Sequence, residues 1–268
     1  MKKVLIVATY FNNPHFIEYQ YKSFQKYLKE DYDFVVLDDS RPTTRSVLSN
    51  RNSGREIQEE CTKYNAKKVS IPQRIHHGKK NDAGGRHQAN LNWYFSSRIC
   101  EQNPWGSKRT FDNKEWDHPE RFNKQLYNKY DYVLIIDADV FITEPFSFEE
   151  EFNNDEYTVV GPRYGGHGFS YVNIGFMGIN LKNMPYEKIS EMSFSGTRNP
   201  HCTCPRKQHP IDSGGALYHF FTKYPNYKIK YMAFRPKLYN FQAGSNWNHK
   251  IEKYKNKLKI LFETLQLD

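Results

Sequence analysis

The stretch YVLIIDADVFI, residues 132–142, joins an apolar run to two aspartates that stand one residue apart. Residues 132–136 are almost continuously apolar, which is typical of a central parallel strand buried on both faces. The apolar pattern resumes at residues 140–142, after Asp137 and Asp139. Residues i and i+2 of an extended chain point to the same side, so we expect both carboxylates to face one side of a strand end. The pair predicts a site for a hard cation or, alternatively, charges that only keep the strand end wet.

Strands and helices alternate along the first half of the chain. Apolar runs at residues 4–8, 34–37 and 67–71 predict strands, and apolar residues at helical spacing over residues 17–28 predict a helix between the first two. Such alternation is typical of right-handed βαβ units. We therefore predict an α/β fold, a single Rossmann-like domain over residues 1–268 with a mostly parallel central sheet flanked by helices.

Further elements are expected in the second half of the chain. Residues 157–160, 171–180 and 227–233 predict strands, and residues 212–221 predict a helix. Residues 101–120 are polar and predict an irregular insertion. A C-terminal helix is predicted from an apolar stripe opposite many lysines, formed by Ile251, Tyr254, Leu258, Leu261 and Leu265.

Composition limits the classes of partner and the compartment. The net charge of +9 favours anionic partners, although many of the lysines lie on the solvated face of the predicted C-terminal helix. The chain lacks a run of about 18 apolar residues, so we expect no transmembrane segment, which leaves room for peripheral contact with a membrane. The first apolar run is too short for a signal peptide. Four cysteines in 268 residues are too sparse for a disulfide framework, which favours a reducing, cytoplasmic location.

Polar and aromatic residues follow the first two predicted strands. Thr9 and Tyr10 end the first, and Asp38 and Asp39 end the second. A tyrosine at such an edge can stack on a nucleobase, and its alternative role is that of an ordinary core aromatic. A carboxylate there can accept a hydrogen bond from a base N–H or a ribose hydroxyl, and its alternative role is to form a turn.

A glycine pair and an arginine precede a further predicted helix. Gly84 and Gly85 offer backbone N–H groups at the helix start, where phosphate binds readily. Arg86 can bind phosphate through two hydrogen bonds. We expect Arg86, His87 or Asn90 to contact a bound ligand.

The order of several fragments resembles a known family. Two of these fragments are the acidic pair after the second strand and the D-x-D of residues 137–139. Three more are GRHQANLNW (residues 85–93), YVNIGFMGINL (171–181) and IDSGGALYHF (211–220). Over residues 3–220 the chain resembles a nucleotide-sugar glycosyltransferase of the A-type fold, D-x-D-containing and family 2-like or related.

The resemblance implies a metal-dependent hexosyltransferase that moves a sugar from a nucleoside-diphosphate sugar, with UDP favoured, to a glycan or another hydroxyl acceptor. It implies Mn²⁺ or Mg²⁺ as cofactor. Asp139 would be the direct ligand, and Asp137 would contact the ribose or a metal-bound water. His249 would be the third ligand, with His219 as the other candidate.

The resemblance also implies that the two halves of the chain bind different substrates. Residues 1–140 would form the nucleotide-binding half, and residues 141–268 the acceptor-binding half. Asp212 would be the general base of an inverting enzyme or, in a retaining one, would bind the donor sugar. A helix N-cap is the structural alternative for Asp212.

Two other functions compete with this interpretation. A nucleotidyltransferase that makes the sugar nucleotide resembles a pattern G-x-G-x-R after the first strand, whereas this chain has ATYFNNPH at residues 8–15. A basic nucleic-acid-binding module would use clustered lysines, arginines and aromatics. Outside the predicted C-terminal helix the sequence shows no such cluster, so we expect no nucleic-acid partner.

Overall fold

The computed structural model describes most of the chain in eight segments and a few residues near the C-terminus. These are residues 2–10, 14–40, 53–72, 83–96, 118–165, 170–198, 210–211 and 214–240, together with residues 256, 259, 260, 262 and 263. The strands are β1 (Lys3–Tyr10), β2 (Asp31–Asp38), β3 (Lys67–Ser70), β4 (Tyr132–Asp137), β5 (Val140–Ile142), β6 (Val159–Tyr164), β7 (Tyr171–Val172), β8 (Phe176–Asn180), β9 (Thr197–Arg198), β10 (Pro210–Ile211), β11 (Ile229–Met232) and β12 (Leu238–Asn240). The helices are α1 (His15–Tyr27), α2 (Ser53–Lys63), α3 (Ala83–Phe95), α4 (Lys124–Tyr127), α5 (Phe148–Glu151), α6 (Tyr186–Glu191) and α7 (Ala216–Lys223).

The order of the strands in the central sheet determines where a ligand can bind. The order is β11-β6-β8-β4-β1-β2-β3, and β7 pairs with β6. All of these neighbours are parallel except β8, which runs antiparallel to both β4 and β6, and β7, which is antiparallel to β6. The predicted α/β class with a mostly parallel sheet and flanking helices is therefore confirmed. The chain winds outward from β1 through β2 to β3 and then returns to β4 on the other side of β1. Ligands bind at such a switch point, at the carboxyl ends of the strands.

Each face of the sheet carries its own hydrophobic core. On one face, which we call the α1 face, alternate β1 residues such as Ile6 and Ala8 pack with Phe16 of α1 and Ile57 of α2. On the other, the α3 face, Leu5 and Val7 of β1 pack with α3 and α7 through residues such as Leu91 and Leu217. Because side chains of a strand alternate between faces, a shift of one residue moves a side chain from one core to the other.

Several predicted elements have different bounds in the structure. The predicted strand 171–180 is two strands, β7 and β8, because the chain turns at residues 173–175. The predicted helix 212–221 is α7, which begins at Ala216 because Gly214 has a left-handed φ of 85° that a helix cannot contain. The segment before β4 contains the short helix α4, which ends at Tyr127. Most of the predicted insertion, residues 101–117, lies outside the described residues.

The described part of the C-terminal segment is helical and contacts α1. Phe262 is buried, and the centroid of its ring lies 3.9 Å from that of Tyr19. The residues of the predicted apolar stripe lie outside the described residues. Within the part of the chain that the structure describes, none of the helices has the length and hydropathy needed to cross a membrane.

A buried carboxylate ties α5 to the last strands. Glu151 lies 2.9 Å from the ammonium group of Lys230 and also contacts that of Lys237. Burial alone would raise the pKa of Glu151, but the hydrogen bonds and charges of Lys237 and Lys230 outweigh burial and lower that pKa below its ordinary value of 4.5. The ionised form therefore stabilises the fold above the pKa of the unfolded chain, and this contribution is lost as the pH falls through the lower, folded-state pKa.

We predict that Glu151→Gln lowers the free energy of unfolding at pH 7 by about 1–2 kcal/mol, because two charge-assisted hydrogen bonds lose their charged acceptor. The loss should shrink as the pH falls through the lowered folded-state pKa, where the wild-type carboxylate also protonates. Urea unfolding at pH 7 and pH 3 measures both. The matched control is Glu150→Gln on the same helix, whose exposed pair with Lys29 should contribute little. An equal loss at both pH values would contradict the assignment.

Candidate active site

The ends of β1 and β4 lie side by side at the switch point. Thr9 is the register partner of Asp137, and both lie on the α3 face. Tyr10 and Asp38 are also register partners, but they lie on the α1 face. The residues predicted to bind a ligand at this edge are therefore divided between the two faces of the sheet.

Tyr10 belongs to the core rather than to a ligand site. Its side chain is fully buried on the α1 face, and its hydroxyl donates to Oε1 of Gln20 at 2.6 Å. Burial, with smaller contributions from Cys61 and Asp139, raises the pKa of Tyr10 well above its ordinary value. The prediction that Tyr10 stacks on a nucleobase is wrong for this arrangement, because no face of the ring reaches the surface.

Asp38 also has a structural role, which corrects its predicted contact with a nucleoside. One carboxylate oxygen lies 3.0 Å from Lys68 Nζ, and the other accepts from the backbone N–H of Ser40 at 2.9 Å. Lys68 in turn donates to the carbonyl of Gly54 at 2.9 Å. Both oxygens of the carboxylate are thus engaged in linking β2 to β3 and α2, which matches the alternative role of a turn-forming aspartate.

Asp39 faces α3 and contacts a second predicted site residue. It is buried, and its Oδ2 accepts from Nδ2 of Asn90 at 3.2 Å. The side chain of Asn90 is fully buried, yet its Oδ1 has no hydrogen-bond partner among the described residues. The same holds for Oγ1 of Thr9. Buried polar atoms are nearly always hydrogen-bonded to protein, water or ligand. These two atoms therefore mark a place where a ligand could pair with them.

His87 brings α3 against the D-x-D stretch. Its Nε2 lies 3.2 Å from Oδ1 of Asp137, and only 10% of the side chain is exposed. The two atoms are close, but within the described part of the chain Nε2 makes no hydrogen bond of acceptable angle. His87, Asn90 and Thr9 together give the site three buried polar atoms available to a ligand.

The two aspartates of the D-x-D stretch differ in backbone position. Asp137 is the last residue of β4, and its side chain is 36% exposed. Asp139 lies in the turn that joins β4 to β5. The prediction of an extended backbone through both residues is therefore wrong. Gln20 accounts for the turn, because its Nε2 donates to the carbonyls of Asp137 at 2.7 Å and of Val140 at 2.9 Å.

The turn between β7 and β8 closes another side of the site. The carbonyl of Gly175 accepts from the backbone N–H of Asp137 at 2.9 Å, and its own N–H donates to Oδ1 of Asn173 at 2.7 Å. A Cβ atom at Gly175 would lie 2.7 Å from Oδ2 of Asp137. Glycine at this position therefore leaves room for the Asp137 carboxylate, which a side chain at residue 175 would displace.

Helix α3 also holds the segment that precedes α7. Gln88 and Asn92 accept from the backbone N–H groups of Gly196 and Phe194 at 3.0 and 2.9 Å. The carbonyl of Phe194 accepts from Gly214 at 3.0 Å. Residues near the start of α7 are thereby brought to the α3 face. No sequence pattern singled out Gln88 and Asn92 beyond their place in the fragment GRHQANLNW.

Three predicted site residues cannot be placed in full. Asp212 and His249 lie outside the described residues, and so does the side chain of Arg86, whose backbone belongs to the first turn of α3. His219 is exposed on α7. In the parts of the chain that the structure describes, no three His, Cys, Asp or Glu side chains form a group that could hold a metal ion. The predicted third ligand thus remains a prediction.

Comparisons with known proteins give similar structures but no family. No family model matches the chain, and neither does any curated protein. The apo structure of the bifunctional glycosyltransferase WbbM is similar with 11% identity and a TM-score of 0.42, covering 94% of this chain and 51% of that one. Core-mannan synthase A from Aspergillus fumigatus, in its Mn/GDP form, is similar with 9% identity and a TM-score of 0.39, covering 71% and 63%. Residues 1–349 of TarS from S. aureus are similar with 14% identity and a TM-score of 0.42, covering 90% and 60%.

The chain therefore spans less than two thirds of each of these structures. At TM-scores below 0.5 the likenesses carry no argument about activity. The function of this chain has to be judged from its own site.

We predict that Gly175→Ala displaces the Asp137 carboxylate, because the added methyl group would lie 2.7 Å from Oδ2 of Asp137. The resemblance implies that the site binds Mn²⁺ with a nucleoside diphosphate, and we expect that binding to weaken by about tenfold or more. Isothermal titration calorimetry measures the change. The control is Gly178→Ala on β8, whose methyl group would meet Phe148 and Val160 on the α1 face. That variant should lose stability by about 1–3 kcal/mol but keep its ligand affinity. Equal affinities in wild type and Gly175→Ala would contradict the placement of Asp137 in the site.

Proposed function

We propose that this protein is a metal-dependent glycosyltransferase that moves a sugar from a nucleoside-diphosphate sugar, with UDP favoured, to a hydroxyl acceptor. One observation carries the proposal. At the switch point of the sheet, a turn with two aspartates lies beside three buried polar atoms that have no hydrogen-bond partner among the described residues. Carboxylates, a buried amide oxygen and a hydroxyl are the groups that recognise a metal-bound nucleotide.

The donor set of the turn fits a divalent cation. Carboxylate oxygens are the ligands of hard cations, and Mg²⁺ commonly uses one or two carboxylates together with the phosphates of a substrate. Asp137 and Asp139 can supply that number, with Asp139 as the direct ligand and Asp137 contacting the ribose or a metal-bound water. His249 is our candidate third ligand. When bound, Mn²⁺ or Mg²⁺ would neutralise the charge of the leaving diphosphate.

The nucleoside would contact the residues between β1, β2 and α3. Oδ1 of Asn90 can accept from a base or ribose donor, while its amide group remains bound to Asp39. The hydroxyl of Thr9 can pair with the same ligand. Arg86 lies in the first turn of α3, a helix of 13 residues, where backbone N–H groups attract phosphate.

The acceptor would approach from the second half of the chain. Gly175 and the segment at residues 194–196 border the α3 face on that side. Asp212, two residues before Gly214, is our candidate general base or donor-sugar ligand. We assign nucleotide binding to residues 1–140 and acceptor binding to residues 141–268. The cytoplasmic location stays a prediction from the sparse cysteines.

A panel of UDP-, GDP- and dTDP-sugars tests the proposed function. With Mn²⁺ present, we expect one donor to raise the melting temperature or to be slowly hydrolysed. At 100 times its dissociation constant such a ligand stabilises the fold by about 2.7 kcal/mol, which thermal unfolding detects readily. The same panel with EDTA is the control. If every donor is silent with and without metal, the proposal loses its basis.

We predict that Asp139→Asn abolishes the Mn²⁺-dependent part of donor binding. The variant should keep its melting temperature within a few degrees, because a carboxylate in a partly exposed turn contributes little to folding. Calorimetric titration of the donor with and without Mn²⁺ measures the loss. The control is Glu144→Gln, an exposed acid shortly after β5, which should bind the donor normally. Full metal-dependent binding by Asp139→Asn would count against its role as ligand.

A further inference from the structure

Gln20 makes three hydrogen bonds around the turn that carries the two aspartates. It lies on α1 with no exposed surface. Its Nε2 donates to the carbonyls of Asp137 at 2.7 Å and Val140 at 2.9 Å, the first and last residues of the turn. Its Oε1 accepts from the hydroxyl of Tyr10 at 2.6 Å. The Gln20 side chain therefore pairs with both backbone carbonyls at the ends of the turn and with the Tyr10 hydroxyl.

The orientation of the Gln20 amide follows from its partners. The two backbone carbonyls can only accept, so the NH₂ group has to face the turn. Oε1 then faces Tyr10, whose hydroxyl can donate. A tyrosine hydroxyl has an ordinary pKa of 10.0, which burial raises further here, so it remains a donor throughout the neutral pH range. Tyr10 and Gln20 thus connect the end of β1 to the turn through α1.

We propose that Gln20 is a positioning residue for metal and donor binding, whose amide, oriented by the Tyr10 hydroxyl, holds the backbone that carries Asp137 and Asp139. The inference rests on the proposed function. Asp139 lies between the two bonded carbonyls, so the Gln20 amide sets the separation of the turn ends and with it the positions of the two carboxylates.

A second side chain of α1 provides a close comparison. Ser23, one helical turn after Gln20, donates to the carbonyl of Ile142 at 2.6 Å and accepts from its N–H at 2.9 Å. It too is fully buried. Its bonds hold β5, beyond the turn. Ser23 therefore contributes to stability through the same helix without contacting the residues that flank the aspartates.

The test measures Mn²⁺ affinity in the presence of saturating UDP, by the electron paramagnetic resonance signal of free Mn²⁺. Gln20→Met keeps the length of the side chain but removes the amide. We expect Mn²⁺ affinity to fall about 10–100-fold, the usual effect of removing a group that orients metal ligands. Gln25→Met is the first control, because Gln25 is exposed on the same helix and its amide donates to the Tyr32 hydroxyl at 2.7 Å. Ser23→Ala is the second, and it should lower the melting temperature while Mn²⁺ affinity stays within about twofold.

Tyr10→Phe keeps the inference testable if Gln20→Met does not fold. The variant removes one hydroxyl and preserves the aromatic packing, so it should fold and bind Mn²⁺ about fivefold more weakly, the effect of one lost hydrogen bond. Wild-type affinity in a folded Gln20→Met or, failing that, in Tyr10→Phe would overturn the positioning role alone. The same loss of affinity in Ser23→Ala would also overturn it, because destabilisation would then explain the effect. If the wild type fails to bind Mn²⁺ with UDP and also with GDP and dTDP, the proposed function fails as well.

Discussion

The in-register pairing of β1 with β4 is the constraint on which the site depends. It sets Thr9 beside Asp137 on the α3 face, at the point where the strand order changes direction. The alternation of side chains then assigns Tyr10 to the opposite core. A slip of β1 by one residue would turn Tyr10 toward the candidate site and move Thr9 to the α1 face, away from Asp137. The hydrophobic cores on both faces exclude that slip, because it would also move the side chains of Val7 and Ala8 to the opposite faces of the sheet.

The polar groups at this edge fall into two kinds according to how they are satisfied. Asp38 and Gln20 have partners for all of their buried oxygen and nitrogen atoms, and they hold strands, helix and turn together. Thr9, His87 and Asn90 each keep one buried atom without a hydrogen bond among the described residues. Leaving such an atom unpaired costs about 1–3 kcal/mol. Several such atoms on one face of the sheet lower the stability of the free protein. A ligand that hydrogen-bonds to them would restore that stability.

The sequence was sufficient for the class of fold because the strands of the central sheet carry their own apolar signals, whereas β9, β10 and β12 were not predicted. It also located the sheet edge, since Asp137 and Thr9 end their strands where apolar runs stop. It failed for Tyr10 and Asp38, because adjacent residues at a strand end look equivalent until their faces are known. Gln20 was not predicted at all. A glutamine on a helix normally faces water, and only the carbonyls of a turn more than 100 positions away make its burial favourable.

The direction of β8 has a consequence for the length of the connection that precedes it. Strand β8 is antiparallel to β4 and β6. At the sheet edge where β1 and β4 end, β8 therefore begins. The short connection before it bonds to Asp137 through a carbonyl and occupies its own N–H with Asn173. Extra residues at this connection would break contacts on both sides. The length of this connection is therefore as constrained as the position of the Asp137 carboxylate beside it.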